Sequence, residues 1–169
     1  MSSVFSHPYF PLILKVTCFG LVQFLTELFY VDKNVNTLNA ANNSIGCLSE
    51  DAFTYYNQLG EIILSSNLLT EIPVAALSNP ILNLNSLASL DLSYNLIASI
   101  PSGSFESMPA LTYLNLSHNQ IASVDDRVFA NLTSILWLDL SFNHIRLLNS
   151  LTFVRLNSLI SLNVSFNLL

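Results

Sequence analysis

Asp91 and Asp139 are the residues whose spacing comes nearest to hydrolytic chemistry: 48 positions separate them, two periods of a 24-residue repeat. If each period is one turn of a coil whose strands stack at ~4.8 Å, the carboxylates stand roughly 10 Å apart. That is near the outer limit for two carboxyl groups acting on one bond through a water, and Asn115 lies between them. His118 and His144 take neighbouring positions of successive periods, with no further ligand to complete a metal site. Cys47 follows Ile45 and Gly46 inside a repeat turn, where a small buried side chain is a plainer reading than a catalytic thiol. Nucleophile, base and metal ligands do not converge anywhere, so the sequence implies no enzyme, no metal and no cofactor.

The period that spaces these residues is the dominant feature of the chain. Lines beginning at Leu87, Leu111, Ile135 and Leu159, each 24 residues after the last, share the skeleton LxxLxLxxNxIxxIxxxxFxxLxx. Two less regular copies precede them. One starts at Val35 and runs 24 residues; the other starts at Leu59 and runs 28. Six rungs result: 35–58, 59–86, 87–110, 111–134, 135–158 and an incomplete 159–169. Repeats of this length bury their apolar edges only against the next rung, so residues 35–169 read as one elongated domain.

Each column of the alignment has a physical task. The LxL element (Leu90/Leu92, Leu114/Leu116, Leu138/Leu140 and their equivalents) is a short strand with its leucines inward and the residues between them outward. An asparagine recurs at one place in every rung: Asn43, Asn67, Asn95, Asn119, Asn143 and Asn167. A turn leaving a strand strands buried backbone groups, and an inward amide can both donate and accept to satisfy them. Phe53, Phe105, Phe129 and Phe153, with Leu77 in the irregular rung, form an apolar spine towards the opposite side.

These motifs resemble the 24-residue extracellular type of leucine-rich repeat found in Toll-like receptors and related adhesion and receptor ectodomains. Pro73 and Pro101, just after Ile72 and Ile100, match that family's LP variant, whereas later rungs carry Asp125 and Asn149 there. The resemblance implies an α/β repeat fold: a right-handed solenoid with a curved parallel sheet on its concave face and irregular or short helical convex segments. It also implies a non-enzymatic interaction module, extracellular or on the cell surface, binding a protein ligand or co-receptor on the concave face. An intracellular scaffold or regulatory subunit is the alternative, and it would need neither glycan nor cleavage.

Composition narrows the partners. Apolar residues make up 51% and charged residues 9% of the 169, with a mean hydropathy of +0.52. The apolar residues recur at fixed columns, so no window in the repeats is an unbroken span of the ~20 residues that a bilayer requires. From Val35 onwards the bases are Arg127, Arg146 and Arg155 against nine acids, which disfavours a phosphate backbone as ligand and leads us to expect no nucleic acid.

Residues 1–34 admit two main readings. The apolar stretch FPLILKVTCFGLVQFLTELFYV resembles a signal peptide, but Lys15, Gln23 and Glu27 interrupt it and only His7 precedes it as a candidate positive charge. The alternative is a degenerate amino-terminal cap, in which Cys18 and Cys47 lie on adjacent turns and can pair. A membrane is expected only through this or missing segments. The chain stops eleven positions into the sixth rung, so the expectation is a fragment of a longer solenoid, or a short protein that self-associates through its uncapped carboxy-terminal edge.

Four N-x-Ser/Thr sequons occur, at Asn42, Asn115, Asn131 and Asn163. Those at Asn115 and Asn163 are by-products of strand text, so Asn131, and after it Asn42, are the expected N-glycan acceptors. For ligand binding, Tyr94, Tyr113, His118, Trp137 and Phe142 converge on rungs three to five beside Asp91 and Asp139. Exposed aromatics with a few polar groups are the usual anchors of protein recognition. Asp91 and Asp139, however, also belong to ordinary LDLSxN repeat text.

Overall fold

The computed structural model describes residues 36–53, 56, 58–78 and 84–169. The signal-peptide and cap readings of residues 1–34, Cys18 among them, fall outside these residues, as does most of the extra stretch in the second rung.

Eight short strands are described: β1 (Thr37–Asn39), β2 (Glu61–Ile63), β3 (Ser89–Asp91), β4 (Ser99–Ile100), β5 (Tyr113–Asn115), β6 (Ser123–Val124), β7 (Trp137–Asp139) and β8 (Ser161–Asn163). Six of them make one parallel sheet in the order β1-β2-β3-β5-β7-β8, while β4 and β6 pair separately. Register keeps every column intact: Ser89 faces Tyr113, Leu90 faces Leu114 and Asp91 faces Asn115. The next pairing repeats the offset, with Tyr113 on Trp137 and Asn115 on Asp139. Parallel strands need a long crossover between them, and the rest of each rung supplies it.

Alternation along each strand divides core from surface. Leu90, Leu92, Leu114, Leu116 and Leu140 are fully buried, whereas the flanking Ser89, Asp91, Tyr113 and Asn115 are only half-buried. On the far side Phe53, Phe105 and Phe129 are fully buried, and Leu77 is buried in the same column. Phe105 stacks on Phe129 at 5.9 Å, and Phe129 on Phe153 at 6.1 Å. Strands in a sheet lie only ~4.8 Å apart, so the rungs are wider at the phenylalanines than at the sheet. The coil therefore bends with the sheet on its concave face. Among the described residues the convex segments are mostly turns, with a four-residue helix, α1 (Val74–Leu77), and a 3-10 turn at Leu84–Ser86. No described helix is long and apolar enough to cross a membrane.

The asparagine column fastens each turn to the one before it. Asn119 donates through Nδ2 to the carbonyls of Leu92 and Leu116, at 3.0 and 3.1 Å. Its Oδ1 accepts from the Ile97 amide at 3.0 Å. Asn95 does the same one rung earlier with Leu64, Leu92 and Leu69, and Asn143 one rung later with Leu116, Leu140 and Ile121. A single planar amide thus serves one buried donor and two buried leucine carbonyls, and Asn119 Nδ2 also reaches the Ser117 carbonyl at 3.2 Å.

Candidate functional site

The concave face is built from the residues that the LxL strands turn outward and from the turn that follows them. The mid-strand column is locally committed. Asp91 Oδ1 accepts from the Ser93 amide at 2.9 Å, and Asp139 Oδ1 from the Ser141 amide at 2.8 Å. Asn39, Asn115 and Asn163 make the same bond to Ala41, Ser117 and Ser165 at 3.0, 3.0 and 3.1 Å. This side chain caps its own backbone two residues on, which bends the chain out of the strand. Asp139 Oδ2 also accepts from Asn163 Nδ2 of the next rung at 3.1 Å.

That bend ends on a residue in the left-handed region in every rung. Asn42, Ser66, Tyr94, His118, Phe142 and Phe166 have φ between 52° and 56°. The conformation is expensive for a bulky side chain, at roughly 1–2 kcal/mol per residue. Inter-rung bonding holds it: the amides of Tyr94, His118 and Phe142 each donate to the serine carbonyl of the next rung, at 3.0 Å. Held in one orientation at one spacing, the four aromatic members stack. Tyr94–His118, His118–Phe142 and Phe142–Phe166 have ring centroids 4.1, 4.2 and 4.2 Å apart, each pair tilted by 9°. The rings nevertheless stay open to solvent, with Tyr94 55% and Phe142 42% exposed.

A second rail lies at the start of the strands. Tyr113 and Trp137 stack at 5.8 Å with a 17° tilt, and Trp137 is 47% exposed. Asp91, Asn115, Asp139 and Asn163 form the floor between the two rails. The five aromatics named in the sequence analysis thus do not make one cluster. They divide into Tyr94, His118 and Phe142 on one side and Tyr113 and Trp137 on the other. Sequence reasoning missed Phe166 as a fourth ring and the exposed Leu136 and Ile160 at the entry edge of β7 and β8. The signal for Phe166 was available, since it precedes an asparagine of the repeat in the same way as the other three rings.

Left-handed geometry at this column makes a prediction that does not depend on any ligand. Phe142→Asn removes a ring yet supplies the residue that holds this conformation in the first rung, so stability should change by less than about 1 kcal/mol. Phe142→Val removes the same ring with a β-branched residue that resists positive φ, and should cost about 2 kcal/mol more. Equal urea midpoints for the two variants would count against backbone strain at this site.

The floor is electronegative, and Tyr113 registers it. Burial first, then the charge of Asp91, raises its phenol above 10.0; a bond with the Asn115 side chain opposes this and Asp139 adds to it. Burial alone raises Tyr56. A raised phenol favours the neutral folded state, so this contribution is fully present below the unfolded value of about 10 and is lost as pH climbs through the higher folded values. The folded fraction should fall above pH ~10, less steeply in a Tyr56→Phe, Tyr113→Phe double variant followed by circular dichroism.

Other residues singled out from the sequence lie elsewhere. His118 is sandwiched between rings, His144 is exposed beyond the asparagine column, and no group of three metal-ligating side chains occurs among the described residues. Cys47 is disulfide-bonded, which removes it as a free nucleophile. Asn131 is exposed in a convex turn with Thr133 of its sequon also exposed, and Asn42 is exposed on the left-handed column. The Asn115 and Asn163 amides are engaged in the strand-end caps described above.

Comparison with known proteins gives a consistent picture. A leucine-rich repeat family model matches residues 61–121 and 118–169, and a BspA-type leucine-rich repeat region of six copies matches 20–89. No curated protein matches the chain. Among solved structures, the crystal structure of a TLR13–ssRNA13 complex is similar with a TM-score of 0.61 and 25% identity, over 78% of this chain and 21% of that one. The present chain therefore spans about a fifth of the length of that relative.

Proposed function

We propose, from the premise that the chain belongs to the leucine-rich repeat family, that it is a non-enzymatic protein-binding module of an extracellular adhesion or receptor protein. The observation that carries this reading is the pair of solvent-open aromatic rails on the concave face. Rigid stacked rings lose little conformational entropy on binding, and they offer flat apolar area beside polar groups that can fix register. Tyr113 and Trp137 form one anchor; Tyr94, His118 and Phe142, extended by Phe166, form the other. Asp91 and Asp139 line the floor between them.

An extracellular setting is favoured by the exposed Asn131 sequon and by the disulfide at Cys47, since disulfides persist in oxidising compartments. The similar structure was solved with single-stranded RNA, whereas the three arginines among the described residues all lie off the concave sheet here. A protein partner is therefore the reading we adopt.

Two experiments test it. In a secretory eukaryotic cell, the recovered chain should lose mass on enzymatic removal of N-glycans, and Asn131→Gln should abolish most of that loss; unglycosylated protein retained inside the cell would overturn the extracellular assignment. Photo-crosslinking from position 137 should capture a partner that position 106, on the convex side, does not. Trp137→Ala should then weaken the captured partner by roughly thirtyfold, the effect of losing a central aromatic anchor. Equal capture from the two positions would remove the concave face from consideration.

A further inference from the structure

The choice of aspartate in place of asparagine on the floor is not required by the fold. Asn39, Asn115 and Asn163 form the same backbone cap in the same column as Asp91 and Asp139, with bonds of 3.0–3.1 Å against 2.8–2.9 Å. The turn would be made equally well by five asparagines. The negative charge at rungs three and five is therefore surplus to the turn; Asp139 Oδ2 also accepts from Asn163 at 3.1 Å, a bond without a counterpart at Asp91 Oδ2 among the described residues. Glu61 adds a third carboxylate to this face from β2, where it accepts from Thr37 at 3.1 Å. Arg127, Arg146 and Arg155, the bases among the described residues, all lie outside the six strands. The rails give this charge a setting, because Tyr113 lies in the field of both aspartates and stacks on the half-exposed Trp137 beside them.

We propose that the concave face over rungs three to five docks an extended basic segment of a partner protein, with Asp91 and Asp139 receiving two of its cationic side chains beside the Tyr113–Trp137 stack. This rests on the concave face being the binding surface. Spacing supports it. The two aspartates are two strands apart, roughly 10 Å, and a polyproline II segment brings every third side chain back to one face after about 9.3 Å. Such a segment is already extended, so little ordering opposes its docking between aromatic rails.

The test uses the whole chain and a labelled twelve-residue peptide with arginine at every third position and proline between, followed by fluorescence anisotropy. Its control has glutamine in place of each arginine. The arginine peptide should bind, more weakly as salt rises, and the glutamine peptide should bind markedly less well. Asp91→Asn with Asp139→Asn should weaken the arginine peptide about tenfold, as the loss of two partly exposed charge pairs implies. The variant keeps both caps, since asparagine serves there already, and gives up one part-buried bond, from Asn163 to Asp139 Oδ2, so its circular dichroism should be unchanged. Glu71→Gln with Glu106→Gln removes equal charge away from the sheet and should leave affinity within about twofold.

Equal binding of the two peptides, binding of neither, or equal losses from the two double variants would overturn the proposal. Binding of a single-stranded RNA in place of the arginine peptide would overturn it as well. Trp137→Ala separates this failure from that of the broader reading. If the peptide's charge proves irrelevant but Trp137→Ala still weakens binding, the concave face stands and the basic partner falls. If neither Trp137→Ala nor the aspartate pair matters, both fall.

Discussion

Asn119→Ala is expected to destabilise the coil by roughly 3 kcal/mol in urea unfolding, from one orphaned buried donor and the bonds lost by the carbonyls around it. The Ile97 amide loses the acceptor it has at 3.0 Å. The Leu92 and Leu116 carbonyls each lose one of two amide donors, because Asn95 and Asn143 still reach them at 3.1 and 3.0 Å. That sharing keeps the cost below what three orphaned groups would impose. An unchanged urea midpoint for Asn119→Ala would mean that inter-rung bonding is not what makes the column stabilising.

Phe129→Ala should be at least as damaging, at about 3–5 kcal/mol, since a fully buried ring is replaced by a cavity in a row that cannot collapse without drawing two rungs together. The ring stacks on Phe105 at 5.9 Å and on Phe153 at 6.1 Å, so both neighbours lose a partner. Phe129→Leu should cost about 1.5 kcal/mol, because Leu77 already fills this column, fully buried, in the second rung. Phe153→Ala should cost less than Phe129→Ala, since Phe153 is itself only partly buried. A Phe129→Ala variant with an unchanged urea midpoint would show that the spine is filling rather than a fastening.

Much of this arrangement was legible from the text because a repeat sends the same column to the same environment every 24 residues. Leucines at the LxL positions had to be inward, and an asparagine in every rung had to answer a backbone need, here the amide and two carbonyls around Asn119. The binding face was legible only as a set of residues. Tyr94 and Tyr113 both read as outward aromatics, yet one sits after the strand with φ of 53° and the other within it. A residue type does not disclose positive φ where a tyrosine, a histidine and a phenylalanine all adopt it. In the first five rungs the residue donates its amide to the next rung at 3.0 Å, and Ser66 adopts the conformation with Ile63, which cannot cap, before it.

Asp91 shows the same limit from the other direction. As LDLS text it could have been scaffold or site, and the structure gives it a scaffold bond through Oδ1 that asparagine also makes elsewhere in the column. Its charge therefore needs a reason outside the turn.

The sequence by itself determined the period, the inward leucines, the asparagine and phenylalanine columns and hence a stacked coil, because each of those is a one-dimensional regularity with one physical cause. Only the tertiary structure decided that the aromatics form two rails, that four rings stack at 4.1–4.2 Å, and that two aspartates lie between them on the concave floor. Those facts depend on the register of neighbouring rungs and on the left-handed turn, and both are fixed by bonds between residues more than twenty positions apart.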